Sequence, residues 1–119
     1  MEKINLEYKF SLFHEYWQPK IIGELNDAYI KEVKLKGEFV WHQHATEDEL
    51  FLVIKGCLRI LLRDGEFDLE PGEMVIIPRG VEHCPVAEEE THVVLVEPKT
   101  TLNTGEVQNN RTVAKLEWI

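Results

Sequence analysis

From Gly37 onward the chain alternates short apolar runs with turn-forming residues at close, even intervals. The marks are Lys55-Gly56, Asp64-Gly65, Pro71-Gly72, Pro78-Arg79-Gly80, Pro85 and Pro98, and the runs between them are rich in Val, Ile, Leu and Phe. Such spacing predicts many short strands in an all-β sandwich or barrel and leaves no room for a helix of usual length. Asp64-Gly65 is the sharpest mark, since a two-residue hairpin turn needs positive φ, which Asp and Gly tolerate. Before it, Leu58, Ile60 and Leu62 share a face opposite Arg59 and Arg63; after it, Phe67 and Leu69 alternate with Glu66, Asp68 and Glu70. That pattern predicts an amphipathic hairpin.

The runs ELFLVIK at 49–55 and MVII at 74–77 are apolar on both faces and therefore need cover on both sides. The barrel interior supplies one cover. The other falls to the N-terminal segment, where IIGEL and AYIKEVKL read as further strands, or to a second copy of the chain. FSLFHEYW at 10–17 reads as one short helix that Pro19 stops. Glu88 to Glu90 reads as a solvated hairpin tip. The polar stretch TTLNTGEVQNNR reads as an irregular loop leading to a last apolar piece, VAKLEWI.

Length and composition add bounds to this picture. A chain of 119 residues with 44% hydrophobic content builds one core, so a single domain over 1–119 is expected. No apolar run approaches the roughly 20 residues that span a bilayer, and the N-terminal residues do not form a leader pattern, which predicts no membrane partner and a cytoplasmic location. Thirteen basic and 22 acidic residues give a net charge of -9, the wrong sign for holding a phosphate backbone, so nucleic acid is not expected as a partner. The two cysteines, Cys57 and Cys84, form no CxxC pair and read as reduced thiols. Motifs for serine hydrolase, nucleotide and dithiol chemistry are absent.

The candidate chemistry lies in two places. A strand over EFVWHQH, 38–44, would point His42 and His44 the same way about 7 Å apart, a chelating spacing. His83 follows the second turn in PRGVEH, and Glu49 opens the strand after the 45–48 loop, with Glu47 and Asp48 as rival carboxylates in that loop. Three imidazoles and a carboxylate suit borderline divalent transition metals. Strand parity turns Trp41 away from His42 and Cys84 away from His83. His14 and His92 have no partner at ligand spacing. Phe51, on Glu49's face, and Val40 are candidate pocket walls.

Taken together, the run Gly37-x4-His42-x-His44-x4-Glu49-x6-Gly56 and the run Gly72-x5-Pro78-x-Gly80-x2-His83 resemble the two paired motifs of the cupin superfamily. The resemblance covers residues 37–83. It implies a double-stranded β-helix, or jelly roll, of six to eight strands, and a metal held by His42, His44, Glu49 and His83. It also favours Glu49 over Glu47 and Asp48, because the distance to Gly56 fits the motif. Two departures stand out: four residues instead of the usual five separate Gly37 from His42, and Ala87 stands where an asparagine is frequent. Neither position is a ligand in that family. The stretches WHQHATEDELFLVIKG, PRGVEHCPVAEEE and LNTGE further resemble small single-domain cupins called mannose-6-phosphate isomerase-like, a likeness of fold and motif more than of biochemistry.

The functional expectation is then one divalent transition metal ion, Mn, Fe, Ni, Co, Cu or Zn, with open positions for a small oxygen-chelating metabolite such as a sugar, uronate, hydroxy acid or phenol. The chemistry would be isomerase-like or dioxygenase-like. No residue outside the ligand set reads as a catalytic acid or base apart from the loop carboxylates. A non-catalytic binding or sensing module is the reading from another class. The surplus of two-faced apolar strands predicts a homodimer.

Overall fold

The computed structural model describes residues 1–119, and two long strands organise it. β2 (Ala28–Glu38) and β7 (His83–Pro98) pair antiparallel from Ala28 with Pro98 to Glu38 with Val86. Along its other edge β7 changes partner, because its C-terminal half pairs with β3 (Glu49–Lys55) and its N-terminal end with β4 (Leu58–Leu62). β3 then carries β6 (Met74–Ile77), β4 carries β5 (Gly65–Leu69), and β2 carries β1 (Lys20–Leu25) followed by the parallel β8 (Glu117–Trp118). The result is two layers that share β2 and β7, a jelly roll whose sheet is not closed on itself. Val33, Leu35, Phe51, Val53, Leu58, Ile60, Val93 and Leu95 fill the space between the layers.

The 58–69 hairpin forms, but its turn lies one residue earlier than expected. Leu62 pairs with Gly65, so Arg63 and Asp64 make the turn, and neither they nor Gly65 take positive φ. Arg63 instead swings under Trp41, its guanidinium carbon 3.9 Å from the indole ring. Pro85 and Glu88 to Glu90 are not a break and a hairpin tip; all lie inside the 16-residue β7, with the three acids on its exposed middle. The short helix is α1 (Leu6–Phe10), ahead of the expected 10–17. Asn5 sets it by accepting a hydrogen bond from the Tyr8 N–H (2.9 Å), a local cap that outweighs the apolar pattern downstream.

The N-terminal segment folds over the outer face of β1, β2 and β7. Phe10 and Phe13 are buried there, Phe10 stacks on His92 at 4.6 Å, and Lys34 Nζ donates to the Phe13 carbonyl (2.7 Å). On the same face of β2 as Lys34, Glu32 is fully buried with neither carboxyl oxygen hydrogen-bonded. This cover stops short of β3 and β6, where Met74 and Ile76 are 53% and 52% exposed. No helix is long and apolar enough to cross a membrane.

Candidate metal centre

His42 and His44 do not lie on a regular strand. β2 ends at Glu38, and the chain then runs loosely beside β7: the Phe39 N–H donates to the Pro85 carbonyl, and His42 and His83 exchange backbone hydrogen bonds of 3.1 and 2.9 Å. From Glu38 to His42 is four steps, from Val86 to His83 is three, so one extra residue bulges out between the two pairings. The bulge still brings both histidines inward, with ring centroids 5.0 Å apart and 4.4 and 5.8 Å from that of His83. Glu49 is the first residue of β3 and His83 the first of β7, so all four side chains converge at one end of the barrel.

His42, His44, Glu49 and His83 are all buried, and one candidate ligand atom from each lies within 4.8 Å of the others, a cluster that could hold a metal ion. Backbone carbonyls fix two of the rings. Nδ1 of His42 meets the Val40 carbonyl and Nδ1 of His83 the Val81 carbonyl, both at 2.9 Å. A carbonyl only accepts, so in the neutral ring each Nδ1 carries the proton and each Nε2 turns a lone pair to the cluster, that of His83 lying 3.3 Å from Glu49 Oε1. His44 has no hydrogen bond at either ring nitrogen, although its Nε2 lies 3.3 Å from Glu49 Oε1. A buried ring with neither nitrogen hydrogen-bonded fits a metal ligand better than a finished protein core.

The electrostatics agree with this. Burial, helped by the nearby His83, pushes His42 down to about 4 and keeps it neutral. Burial pushes Glu49 the other way, but its polar neighbours Glu97, His44 and His83 overcome it and hold Glu49 well below the usual carboxylate range. Glu97 is raised well above that range by burial and by the Glu49 charge beside it. Its Oε1 also receives Lys31 Nζ at 2.7 Å, and both members of that pair are buried. Two carboxyls thus face one lysine behind the histidines. The sequence hid this dyad, because Glu97 reads as an ordinary polar residue at a strand end and Lys31 is far from it in the chain.

The rival carboxylates are engaged elsewhere. Asp48 accepts from the Arg79 backbone N–H (2.9 Å) and side chain, and Glu47 accepts from the Thr46 and Thr100 hydroxyls. Phe51 lines a cavity of about 40 Å³ beside the cluster, room for about three water molecules, together with Trp17, Phe39, Glu97 and Asn103. Val40 is not among the lining residues; its contribution is the carbonyl that orients His42. His14 is exposed, His92 packs on Phe10, and Cys84 lies near Glu38 with its buried thiol pushed up to about 11, first by burial. Both cysteines are free.

The loop after β7 closes this end of the barrel. Thr101 and Thr104 are buried, Gly105 sits against the backbone of Gln43 between the two histidines, and Asn103 is tied to Arg111 and Val113. Beneath it Trp17 stacks on Phe39 at 4.7 Å, and the Phe39 ring stands edge-on to His42 at 5.4 Å.

Comparison with known proteins agrees with this architecture. The cupin domain model matches residues 30–98. A cupin-2 domain containing protein from Shewanella frigidimarina NCIMB 400 is 51% identical, with a TM-score of 0.80 over 81% of this chain and 94% of its own. A Neisseria meningitidis protein is 33% identical, with a TM-score of 0.75 over 82% of this chain and all of its own. The Uncharacterized protein YdbB of Bacillus subtilis (strain 168) is 38% identical over 63 residues, which span 52% of this chain and 56% of that protein. With the family model covering more than half of its length and a half-identical solved relative sharing its jelly roll, this chain belongs to the cupin domain family.

Proposed function

We propose that His42, His44, Glu49 and His83 hold one divalent transition metal ion, Mn, Fe, Ni, Co, Cu or Zn, and that the protein acts on a small metabolite that chelates through oxygen. The observation that carries this reading is the set of imidazole nitrogens turned to the cluster: the Nε2 atoms of His42 and His83, whose Nδ1 atoms are bound to carbonyls, and a His44 ring with no hydrogen bond. A metal bound there supplies Lewis acidity, which polarises a carbonyl or hydroxyl oxygen of the bound molecule and suits isomerase-like or dioxygenase-like chemistry. Glu97, braced by Lys31, presents a carboxyl at the cavity wall and is placed to hydrogen-bond that molecule. Trp17, Phe39 and Phe51 exclude bulk water from it. The small volume of the cavity favours a second reading, a non-catalytic binding module, because it leaves little space for a substrate to rearrange.

Elemental analysis of protein made without added metal tests the first step. About one transition-metal ion per chain is expected, lost in His44→Ala while the circular dichroism of the fold is kept. Metal-free wild-type protein, or full metal in the variant, overturns the assignment. Turnover of chelating metabolites by the loaded protein supports the enzyme; stabilisation by them without turnover supports the binding module.

A further inference from the structure

The chain has four arginines, and three are paired with carboxylates: Arg59 with Glu66 and Asp68, Arg63 with Glu82, and Arg79 with Asp48. Arg111 forms no ion pair, although the chain carries 22 acidic residues. Its Nη1 is buried without a hydrogen-bond partner. Arg111 is half-buried, and desolvating one of its charged donors with no acceptor is unfavourable, so such a group marks a position built for something else.

The surroundings say what that is. The guanidinium carbon lies 5.4 Å from the Trp17 ring centroid and 5.8 Å from that of Phe39, the stacked pair that lines the cavity. Phe39 in turn is the ring next to His42, so one aromatic side chain separates the free cation from the histidine cluster. The position is held from behind: Asn103 Nδ2 donates to the Arg111 carbonyl (2.8 Å), Asn103 Oδ1 accepts from the Val113 N–H (2.9 Å), and the Thr104 and Thr112 hydroxyls meet at 2.8 Å. Lys31, the buried cation behind the cavity-lining Glu97, already serves that carboxyl.

We propose that Arg111 is a specificity residue that binds the carboxylate of the molecule held at the cluster, which narrows the ligand class to small hydroxy or oxo acids. A planar guanidinium with its neighbouring faces covered by rings offers a fork that matches a carboxylate. A phosphate, with more oxygens to satisfy, would call for more donors than this one guanidinium. The surrounding charge of -9 repels anions generally, so recognition depends on this one group. The second anchor of the acid, its hydroxyl or oxo oxygen, rests on the metal-centre reading; the carboxylate contact does not.

The experiment compares acids with neutral counterparts of matched size, glycerate against glycerol and gluconate against glucitol, by calorimetry on wild-type, Arg111→Lys and Arg111→Gln proteins loaded with Mn. Metal content is measured on each. At least one acid binds the wild type tenfold or more tighter than its polyol. Arg111→Gln removes that preference while metal content and polyol affinity stay unchanged, and Arg111→Lys keeps part of it. Three results overturn the proposal: no acid preference in the wild type, an undiminished preference in Arg111→Gln, or equal loss of acid and polyol, which would make Arg111 only a clamp for the loop. Failure to retain metal with the acid preference intact would sink the metal centre and leave the arginine's role standing.

Discussion

Burial of charge distinguishes this protein at the level of single residues. The histidines were legible from their spacing, because a two-residue repeat followed at fixed distance by a carboxylate and a third imidazole leaves a trace in the sequence. Glu97 and Lys31 leave none, since a cross-barrel pair has no local period, and only the β2–β7 register brings them together. Removing Glu97 leaves the buried Lys31 ammonium without its acceptor, at a cost of about 3–5 kcal/mol, whereas replacing both by apolar groups is often neutral. Glu97→Ala in metal-free protein should therefore lose about that much in urea melts, and Lys31→Met with Glu97→Leu should recover most of it. Additive losses would show that the pair is not coupled. Glu32 gives a pH signature. Burial, against the opposing charges of Lys9 on α1 and Lys34 on its own strand, pushes it up to about 8. Between its ordinary value near 4.5 and about 8, the folded chain keeps a proton that the unfolded chain has released, so stability from this group falls as pH rises through that window. Glu32→Gln should melt like the wild type near pH 4.5 and progressively above it toward pH 8. A gap that does not grow with pH would mean the carboxyl is ionised in the fold.

Elements built on alternation were readable from the sequence, and those built on exceptions were not. β3, β4, β5 and β6 follow their apolar runs closely. β7 was broken into pieces in the sequence reading because Pro85 and three consecutive glutamates look like punctuation. In the fold Pro85 needs no N–H, since its carbonyl serves Phe39, and the glutamates ride the exposed bend where β7 passes between layers. The polar stretch 100–111 reads as an irregular loop, but its docking is not legible, because it depends on Gly105. There φ is +60° and a Cβ would come 2.0 Å from the Gln43 carbonyl oxygen, a backbone atom that cannot yield. Gly105→Ala should therefore lift the loop from the histidine segment and cost about 1 kcal/mol or more. Trypsin reads this directly: cleavage after Arg111 should accelerate several-fold while the barrel's own melting changes little. Unchanged cleavage would show that the loop does not depend on that contact.

Seen whole, the molecule has one face without cover. β6 pairs only with β3, and beside this open edge Met74 and Ile76 stand exposed while Leu50 and Leu52 are half-buried. The N-terminal segment covers its own β1 and β2 and does not reach them. A second copy, set two-fold across this edge and face, is the proposed cover. Sedimentation should give about twice 13.9 kDa for the wild type and the single-chain mass for Ile76→Arg. A concentration-independent monomer for the wild type would leave the patch as a single exposed surface of the barrel. The long β2–β7 ladder also governs how fast the chain reaches its shape. It runs from the Ala28–Pro98 pair, which closes its longest loop, to the His42–His83 bridge, which closes its shortest, so loop entropy favours zipping outward from the histidine end. Folds dominated by such distant pairings take on the order of milliseconds to seconds. The histidine cluster sits at the short-loop end of that zipper, so a metal ion added during refolding should be captured before the Ala28–Pro98 end has closed, and its optical signal would time the start of barrel closure.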